Sequence, residues 1–145
     1  MTAQADIASL FQRIPFQRHT RLELLHDLRV RAPDDAELKN HLGTMHGGML
    51  YVLGEVAGAV AMAELLAPDS AALYAITRRG EIDYLKPARG PITASGRVAL
   101  TRAEILEKLE RQRSLDVHVS VTLSDHAAVT VAELSFTWYV APLRR

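Results

Sequence analysis

The chain contains no cysteine. This absence excludes disulfides, thiolate nucleophiles and cysteine-based zinc or iron–sulfur sites. The chain also lacks net charge, because 17 lysines and arginines balance 17 aspartates and glutamates, so electrostatics favours neither nucleic acid nor an anionic membrane surface as a partner. The first residues lack the basic start and continuous apolar run of a signal peptide. We therefore expect a cytoplasmic protein that binds neither nucleic acid nor membrane.

One apolar run is long enough to be considered as a membrane span. It covers residues 49–67 and contains two carboxylates, Glu55 and Glu64, each of which costs about 2.5–3.5 kcal/mol near the centre of a bilayer. We therefore reject a transmembrane segment. The 145 residues are 48% hydrophobic and 23% charged, a size and composition typical of one globular domain. We predict a single domain over residues 1–145.

Hydrophobic spacing divides the first half of the chain into three elements. Residues 3–14 have helical spacing and end before Pro15, which predicts a short N-terminal helix. Residues 22–32 alternate loosely and predict a first strand. A charged loop then leads to an almost wholly apolar run, which predicts a long central helix over about residues 47–66, ended at Pro68.

The second half of the chain alternates as strands do. Tyr74, Ile76, Ile82 and Tyr84 have even spacing, which predicts one face of a strand with a bulge at Gly80. Three more strands and a charged helix are predicted, the strands over residues 92–100, 115–123 and 129–140 and the helix over 102–111. Together these elements indicate an α+β fold in which an antiparallel sheet wraps around the long central helix.

A carboxylate in the middle of the central helix needs an explanation. A helix that is apolar all round belongs in the core of a fold, where an ionised carboxylate without a partner is costly. Glu55 is either a functional group or a side chain satisfied by a neighbouring strand or by Arg78. We favour a function.

Two glycines mark the start of the same helix. The first backbone N–H groups of a helix have no helical acceptor and carry partial positive charge, and Gly47 and Gly48 let a ligand approach them closely. Such a donor stabilises a developing oxyanion by about 2.7–4 kcal/mol. One carboxylate, Glu55, is then enough either to attack a reactive carbonyl or to take a proton from water.

These residues form a recognisable pattern. His46-Gly47-Gly48, with Asn40 six residues before the histidine, Glu55 nine after it and the sequence YLKPA at residues 84–88, resembles the phenylacetate-pathway (PaaI-like) type of acyl-CoA thioesterase in the hotdog-fold superfamily. The resemblance covers roughly residues 24–140. It implies a hotdog fold and hydrolysis of an acyl-CoA or acyl-carrier-protein thioester, and we expect no cofactor. We also expect no metal, because His41 and His46 lie in a loop without a carboxylate or cysteine nearby.

The resemblance also implies a set of site residues. His46 binds and orients the thioester oxygen, Asn40 holds the loop or the reacting groups, and Thr77 positions the water. The implied catalytic residues are Glu55, His46, Gly47, Asn40 and Thr77. Three residues early in the helix, where an acyl group could pass, complete the site as substrate-binding residues: Gly48, Met49 and Tyr51.

Helix geometry predicts that two copies of the chain build this site. Glu55 is eight residues beyond Gly47, hence about 12 Å along the helix axis, too far for both to act on one substrate atom. Two antiparallel helices side by side in a homodimer, or in a dimer of dimers, would bring Gly47 of one chain opposite Glu55 of the other, as in the resembling enzymes. Two alternatives remain, a non-catalytic acyl-binding or scaffold protein and, ranked lower, a hydratase/dehydratase.

Overall fold

A six-stranded antiparallel sheet wraps around one long helix in the computed structural model, which describes residues 3–143. The helices are α1 (Ala3–Arg13), α2 (Pro15–His19), α3 (Gly47–Leu66) and α4 (Arg102–Arg111). The strands are β1 (Glu23–Leu24), β2 (Val30–Ala32), β3 (Leu73–Tyr84), β4 (Ile92–Val98), β5 (Leu115–Ser124) and β6 (Thr130–Pro142), in the spatial order β1-β2-β4-β5-β6-β3. The α+β architecture predicted from hydrophobic spacing is confirmed.

Helix α3 is the centre of the core. By length and composition it could cross a membrane, and here ten of its 20 residues are buried, most of them against the inner face of the sheet. Strand β4 approaches the helix backbone at Gly96, where a Cβ would lie 2.7 Å from the carbonyl oxygen of Ala57. Only a residue without a side chain allows the strand to lie this close to the helix.

The N-terminal region differs from the sequence prediction in two places. The strand expected over residues 22–32 is a hairpin of two short strands, β1 and β2, joined by a turn in which Leu28 has a φ of 62°. Pro15 ends α1 as expected but also begins α2, since proline at the first position of a helix gives up an N–H that has no helical acceptor. A local alternation of apolar residues cannot show where a chain reverses.

A bulge in β3 changes which side chains face the helix. Thr77 pairs with Trp138 and Arg79 with Thr137, so Arg78 is an extra residue in the strand. The extra residue reverses the alternation: Ile76 is exposed, whereas Ile82 packs against the core. The prediction that Tyr74, Ile76, Ile82 and Tyr84 share one face was therefore wrong, and the bulge lies at Arg78 rather than at Gly80.

Strand β3 is also an edge of the sheet. It pairs with β6 on one side, and along residues 3–143 no strand pairs with its other side. A free edge of 12 residues presents a row of unpaired backbone N–H and C=O groups, which is a template for pairing with another chain.

Candidate active site

The first turn of α3 offers one free backbone donor. His46 is the N-cap, and its Nδ1 accepts a hydrogen bond from the Gly48 N–H at 2.9 Å. The N–H of Gly47 has no acceptor within residues 3–143. Because Nδ1 accepts, a neutral His46 ring carries its proton on Nε2, and the side chain is exposed. Gly47 N–H and His46 Nε2–H are therefore the donors available to a substrate, and Gly48 N–H is not.

Asn40 holds the loop that precedes the helix. Its side-chain oxygen accepts from the backbone N–H groups of Leu42 at 2.9 Å and Thr44 at 3.2 Å, and its amide nitrogen donates to Thr44 Oγ1 at 2.9 Å. These bonds use both polar ends of the amide. They tie Asn40 to the loop over residues 40–44, and both roles that the resemblance implies for Asn40 stay predictions.

The Tyr84 side chain packs against Gly47, the residue with the free N–H. Its hydroxyl donates to the Gly47 carbonyl oxygen at 3.2 Å, and a Cβ on Gly47 would lie 3.3 Å from the ring. The loop is tied to the same region, because the Met45 N–H donates to the Ala88 carbonyl oxygen at 2.9 Å. An open groove of about 530 Å³ runs along this end of the helix, and its rim includes Lys86 and Arg89.

Glu55 lies half-buried and faces β3. Its Oε1 accepts a hydrogen bond from Thr77 Oγ1 at 3.0 Å, and within residues 3–143 no cation pairs with the carboxylate. Arg78, the cation considered from the sequence, is bonded to Asp116 at 2.8 Å instead. Only Oε1 of Glu55 has a partner, and that partner is the neutral hydroxyl of Thr77. The second oxygen, Oε2, has no partner among the described residues, so the carboxylate can still take part in chemistry.

The predicted site residues therefore form two separate groups. Asn40, His46, Gly47 and Gly48 lie at the start of α3, and Glu55 and Thr77 lie at its middle. Of the remaining two predicted residues, Tyr51 is half-buried between the groups, with its hydroxyl so close to Gly80 that a Cβ there would overlap it. Met49 is only 7% exposed and packs in the core, which leaves it little surface for a substrate.

Three contacts between α3 and β3 follow a regular order. Gly47 touches Tyr84, Tyr51 reaches Gly80, and Glu55 bonds Thr77. Positions four residues apart lie on one face of a helix, so α3 lies along β3 and runs antiparallel to it. The free N–H and the carboxylate share this face about 12 Å apart. A single chain does not bring them to one substrate atom.

Sequence reasoning did not include three residues that shape this region among the site residues. Tyr84 belongs to the YLKPA sequence, so its position next to the site had a signal. Gly80 makes room for the Tyr51 hydroxyl, and Trp138 lies across from Thr77 in the sheet. Nothing in local spacing indicated these last two contacts, since both depend on the register of β3.

A family model described as "Domain of unknown function (DUF4442)" matches residues 18–140. The chain belongs to the DUF4442 family. A comparison of this DUF4442 chain with curated proteins gave no match.

Solved structures resemble the DUF4442 chain over most of its length. A protein with unknown function from Chlorobaculum tepidum has a TM-score of 0.82 and 18% identity, with 95% of this chain and 93% of that chain covered. A protein of unknown function from Pseudomonas aeruginosa, described as a probable thioesterase, has a TM-score of 0.79 and 21% identity, covering 96% and 95%. A Bacillus halodurans protein, solved with CoA, has a TM-score of 0.69 and 21% identity, covering 95% and 85%.

These similarities confirm the hotdog fold expected from the resemblance, as found in the thioesterase superfamily. The identities are all low, so the similarities concern the fold. The phenylacetate-pathway type and the roles of individual residues stay predictions.

Proposed function

We propose that this DUF4442 chain is a homodimeric thioesterase that hydrolyses an acyl-CoA or acyl-carrier-protein thioester. The hydrogen bond of 3.0 Å between Thr77 Oγ1 and the Glu55 carboxylate carries the proposal, because it orients a carboxylate that has no cationic partner among the described residues. The free Gly47 N–H at the start of the same helix supports it. The CoA found with the Bacillus halodurans neighbour agrees with a thioester of CoA as substrate.

The chemistry follows from the hydrogen-bonding capacity of these groups. The Gly47 N–H donates to the thioester oxygen and stabilises the negative charge that develops there, while His46 Nε2–H helps to hold that oxygen. Thr77 donates its only proton to Glu55, so its lone pairs remain free to accept from a water molecule. Glu55 then either takes a proton from that water or attacks the carbonyl carbon directly. In the direct route the C–S bond breaks, the thiolate leaves and takes a proton from water, and the mixed anhydride is hydrolysed to the free acid and the Glu55 carboxylate.

In the water route, hydroxide oxygen adds to the carbonyl carbon and the C–S bond breaks. The products are the free acid and the thiol, which receives the proton held by Glu55. A thiol has a pKa near 8.5, so it leaves without a dedicated acid. One carboxylate is therefore sufficient for the whole cycle.

The free edge of β3 supplies the contact by which two chains complete this site. Arg79 and Glu81 form an ion pair with each other on the exposed face of β3. Pairing of β3 with its copy about a two-fold axis at Gly80 places Arg79 of one protomer opposite Glu81 of its partner, so the two ion pairs can combine into one four-charge cluster. Opposite charges directly across a strand pair are favourable. The axis also sets the Tyr84 end of one strand beside residues 76–77 of the other.

This arrangement joins the two separated groups. Gly47 lies at the level of Tyr84, and Glu55 at the level of Thr77. When the two strands pair about Gly80, the free N–H of one protomer comes next to the carboxylate of its partner. A two-fold dimer then has two equal sites, each built from both chains.

The first experiment measures release of free thiol from short, medium, long-chain and aryl acyl-CoAs by the wild type and by Glu55→Gln. Glutamine keeps an oxygen for the Thr77 hydrogen bond but is neither a base nor a nucleophile, so turnover is expected to fall by about 10²–10⁴-fold. Sedimentation establishes that the variant remains a dimer. Unchanged turnover in Glu55→Gln would refute the role of Glu55, and no turnover on any thioester by the wild-type dimer would favour an acyl-binding protein.

A mixed dimer tests whether both chains build each site. Glu55→Gln and Gly47→Pro chains, each expected to be inactive alone, are given different affinity tags and purified together as heterodimers. One of the two sites then has an intact Gly47 from one chain and an intact Glu55 from the other, so about half of the wild-type activity should return. A heterodimer as inactive as its parents would contradict the shared site.

A further inference from the structure

Tyr51 lies midway between the two groups of the proposed site. Gly47, Tyr51 and Glu55 are four residues apart along α3 and therefore share one face of the helix. The tyrosine is about 6 Å along the helix axis from each of the other two. Its half-buried ring packs edge-on against Phe136, with 5.5 Å between the ring centroids. The ring therefore has a fixed place against the sheet, between the free N–H and the carboxylate.

Gly80 leaves room for the Tyr51 hydroxyl. A Cβ at Gly80 would lie 2.1 Å from the Tyr51 hydroxyl oxygen and 2.7 Å from the Phe136 ring. The φ of Gly80 is not positive, so the backbone conformation at this position does not require glycine. Glycine is needed here because the hydroxyl oxygen occupies the space that a Cβ would take.

The Tyr51 hydroxyl is unpaired and can be reached from outside the chain. It has no hydrogen-bond partner within residues 3–143, although a tyrosine hydroxyl that is partly buried usually finds one. Among the described residues, the fully buried side-chain atoms without a partner are Gln17 Oε1 and Trp138 Nε1, so the Tyr51 oxygen keeps accessible surface. Because Gly80 belongs to the free edge of β3, a second chain that pairs with this edge comes next to the hydroxyl.

The two-fold axis of the proposed dimer brings the hydroxyls of both protomers together. The axis sets Gly80 opposite its own copy, and residues opposite each other in an antiparallel pair have Cβ positions about 4.5–5.5 Å apart on one face of the sheet. Since each Tyr51 oxygen lies close to the Cβ position of its Gly80, the two oxygens are about 5 Å apart. Two O–H···O bonds of about 2.7–2.8 Å that meet at one water molecule span this distance.

We infer that the Tyr51 hydroxyls of the two protomers are joined across the two-fold axis through one shared water, which accepts a hydrogen bond from each. The inference rests on the proposed function and adds Tyr51 to it as a positioning residue. The joined hydroxyls fix the register of the two β3 strands, because a slip of two residues would move them about 7 Å further apart. The register in turn sets the distance from the Gly47 N–H of one protomer to the Glu55 carboxylate of its partner.

Tyr51→Phe tests the inference because it keeps the ring and removes only the hydroxyl. Sedimentation over a series of protein concentrations measures the dissociation constant of the dimer, which should rise about tenfold through the loss of two hydrogen bonds. At protein concentrations that keep the variant dimeric, kcat for the best acyl-CoA should fall about tenfold, because the reacting groups are misplaced, while KM changes by less than about twofold. Tyr139→Phe is the control. It removes a hydroxyl opposite the exposed Ile76 and should behave as the wild type.

Two more variants separate the role of the hydroxyl from that of the ring. 4-Aminophenylalanine in place of Tyr51 restores a donor, so the dissociation constant and kcat should return to within about twofold of the wild type. Gly80→Ala displaces the hydroxyl, so its effect on the dissociation constant and that of Tyr51→Phe should not add in the double variant. Wild-type values in Tyr51→Phe, no recovery with 4-aminophenylalanine, or additive losses in the double variant would overturn the inference.

Failure of the proposed function would give different results. A monomeric wild type, or unchanged turnover in Glu55→Gln, would contradict the shared site whatever the result for Tyr51→Phe. A wild-type dimer that loses turnover in Glu55→Gln and is unaffected by Tyr51→Phe would overturn only the role of Tyr51.

Discussion

Replacement of Gly47 by proline removes the free N–H of the proposed mechanism and changes little else in the backbone. Gly47 is the first residue of α3, a position where proline is common because that N–H has no helical acceptor. The preceding residue, His46, has φ −61° and ψ 137°, the extended conformation that a residue before proline adopts. The variant is therefore expected to fold with α3 intact.

The size of the effect follows from the loss of one oxyanion donor. Removal of such a donor typically costs about 2.7–4 kcal/mol, or about 10²–10³-fold in kcat. The new side chain also meets Tyr84, since a Cβ at this position lies 3.3 Å from the ring. Gly47→Ala makes the same contact but keeps the N–H, and Tyr84 is 56% exposed, so its ring can move. Alanine should therefore keep most of the activity.

The assay is release of free thiol from the best acyl-CoA, with kcat and KM measured for wild type, Gly47→Ala and Gly47→Pro. Sedimentation and circular dichroism establish that both variants are folded dimers. A large loss of kcat in the proline variant alone supports the donor role of Gly47. If the proline and alanine variants were equally active, the Gly47 N–H would not stabilise the transition state and the proposed mechanism would be wrong.

Two further predictions concern assembly and stability. Glu81→Lys should raise the dissociation constant of the dimer several-fold, because it places like charges across the β3 edge. A cross-strand pair is worth about 0.2–1 kcal/mol and occurs twice about a two-fold axis. The double variant Arg79→Glu/Glu81→Lys restores opposite charges and should recover association in sedimentation; equal weakness of both variants would contradict an axis at Gly80. Gly96→Ala should lower the free energy of unfolding in urea by about 1–3 kcal/mol, because its Cβ would lie 2.7 Å from the Ala57 carbonyl oxygen. Ser95→Ala, at an exposed neighbour, is the control, and wild-type stability of Gly96→Ala would show that the helix can move away from β4.

Much of the fold could be predicted because it depends on local periodicity. The long apolar run predicted a central helix over about residues 47–66, and the structure has α3 at Gly47–Leu66. The charged helix and the three C-terminal strands also lie within two residues of their predicted ends. The predictions failed where the structure depends on contacts between residues that are far apart in sequence. The β1–β2 hairpin and the bulge at Arg78 arise from pairing between strands, and a single residue inserted into a strand reverses every side chain beyond it.

The sequence by itself determined the candidates for chemistry. A carboxylate inside an apolar helix is unusual whatever surrounds it, because burial penalises charge. Two glycines at the start of the same helix are also notable, because a helix start always has unpaired N–H groups. Their spacing also showed that one chain holds them too far apart to act on one atom. These conclusions need only the geometry of a single helix.

Only the tertiary structure decided which of these groups are free to act. The ring of His46 accepts a hydrogen bond from the Gly48 N–H and leaves the Gly47 N–H free within residues 3–143. Thr77 donates to Glu55, and the buried Trp138 Nε1–H has no partner among the described residues. Each of these facts depends on the register of β3 or on the path of the loop before α3. The bond between Thr77 and Glu55 joins residues 22 positions apart, and the short bond between His46 and Gly48 depends on how the preceding loop turns, so local spacing cannot reveal which donors and acceptors are already paired.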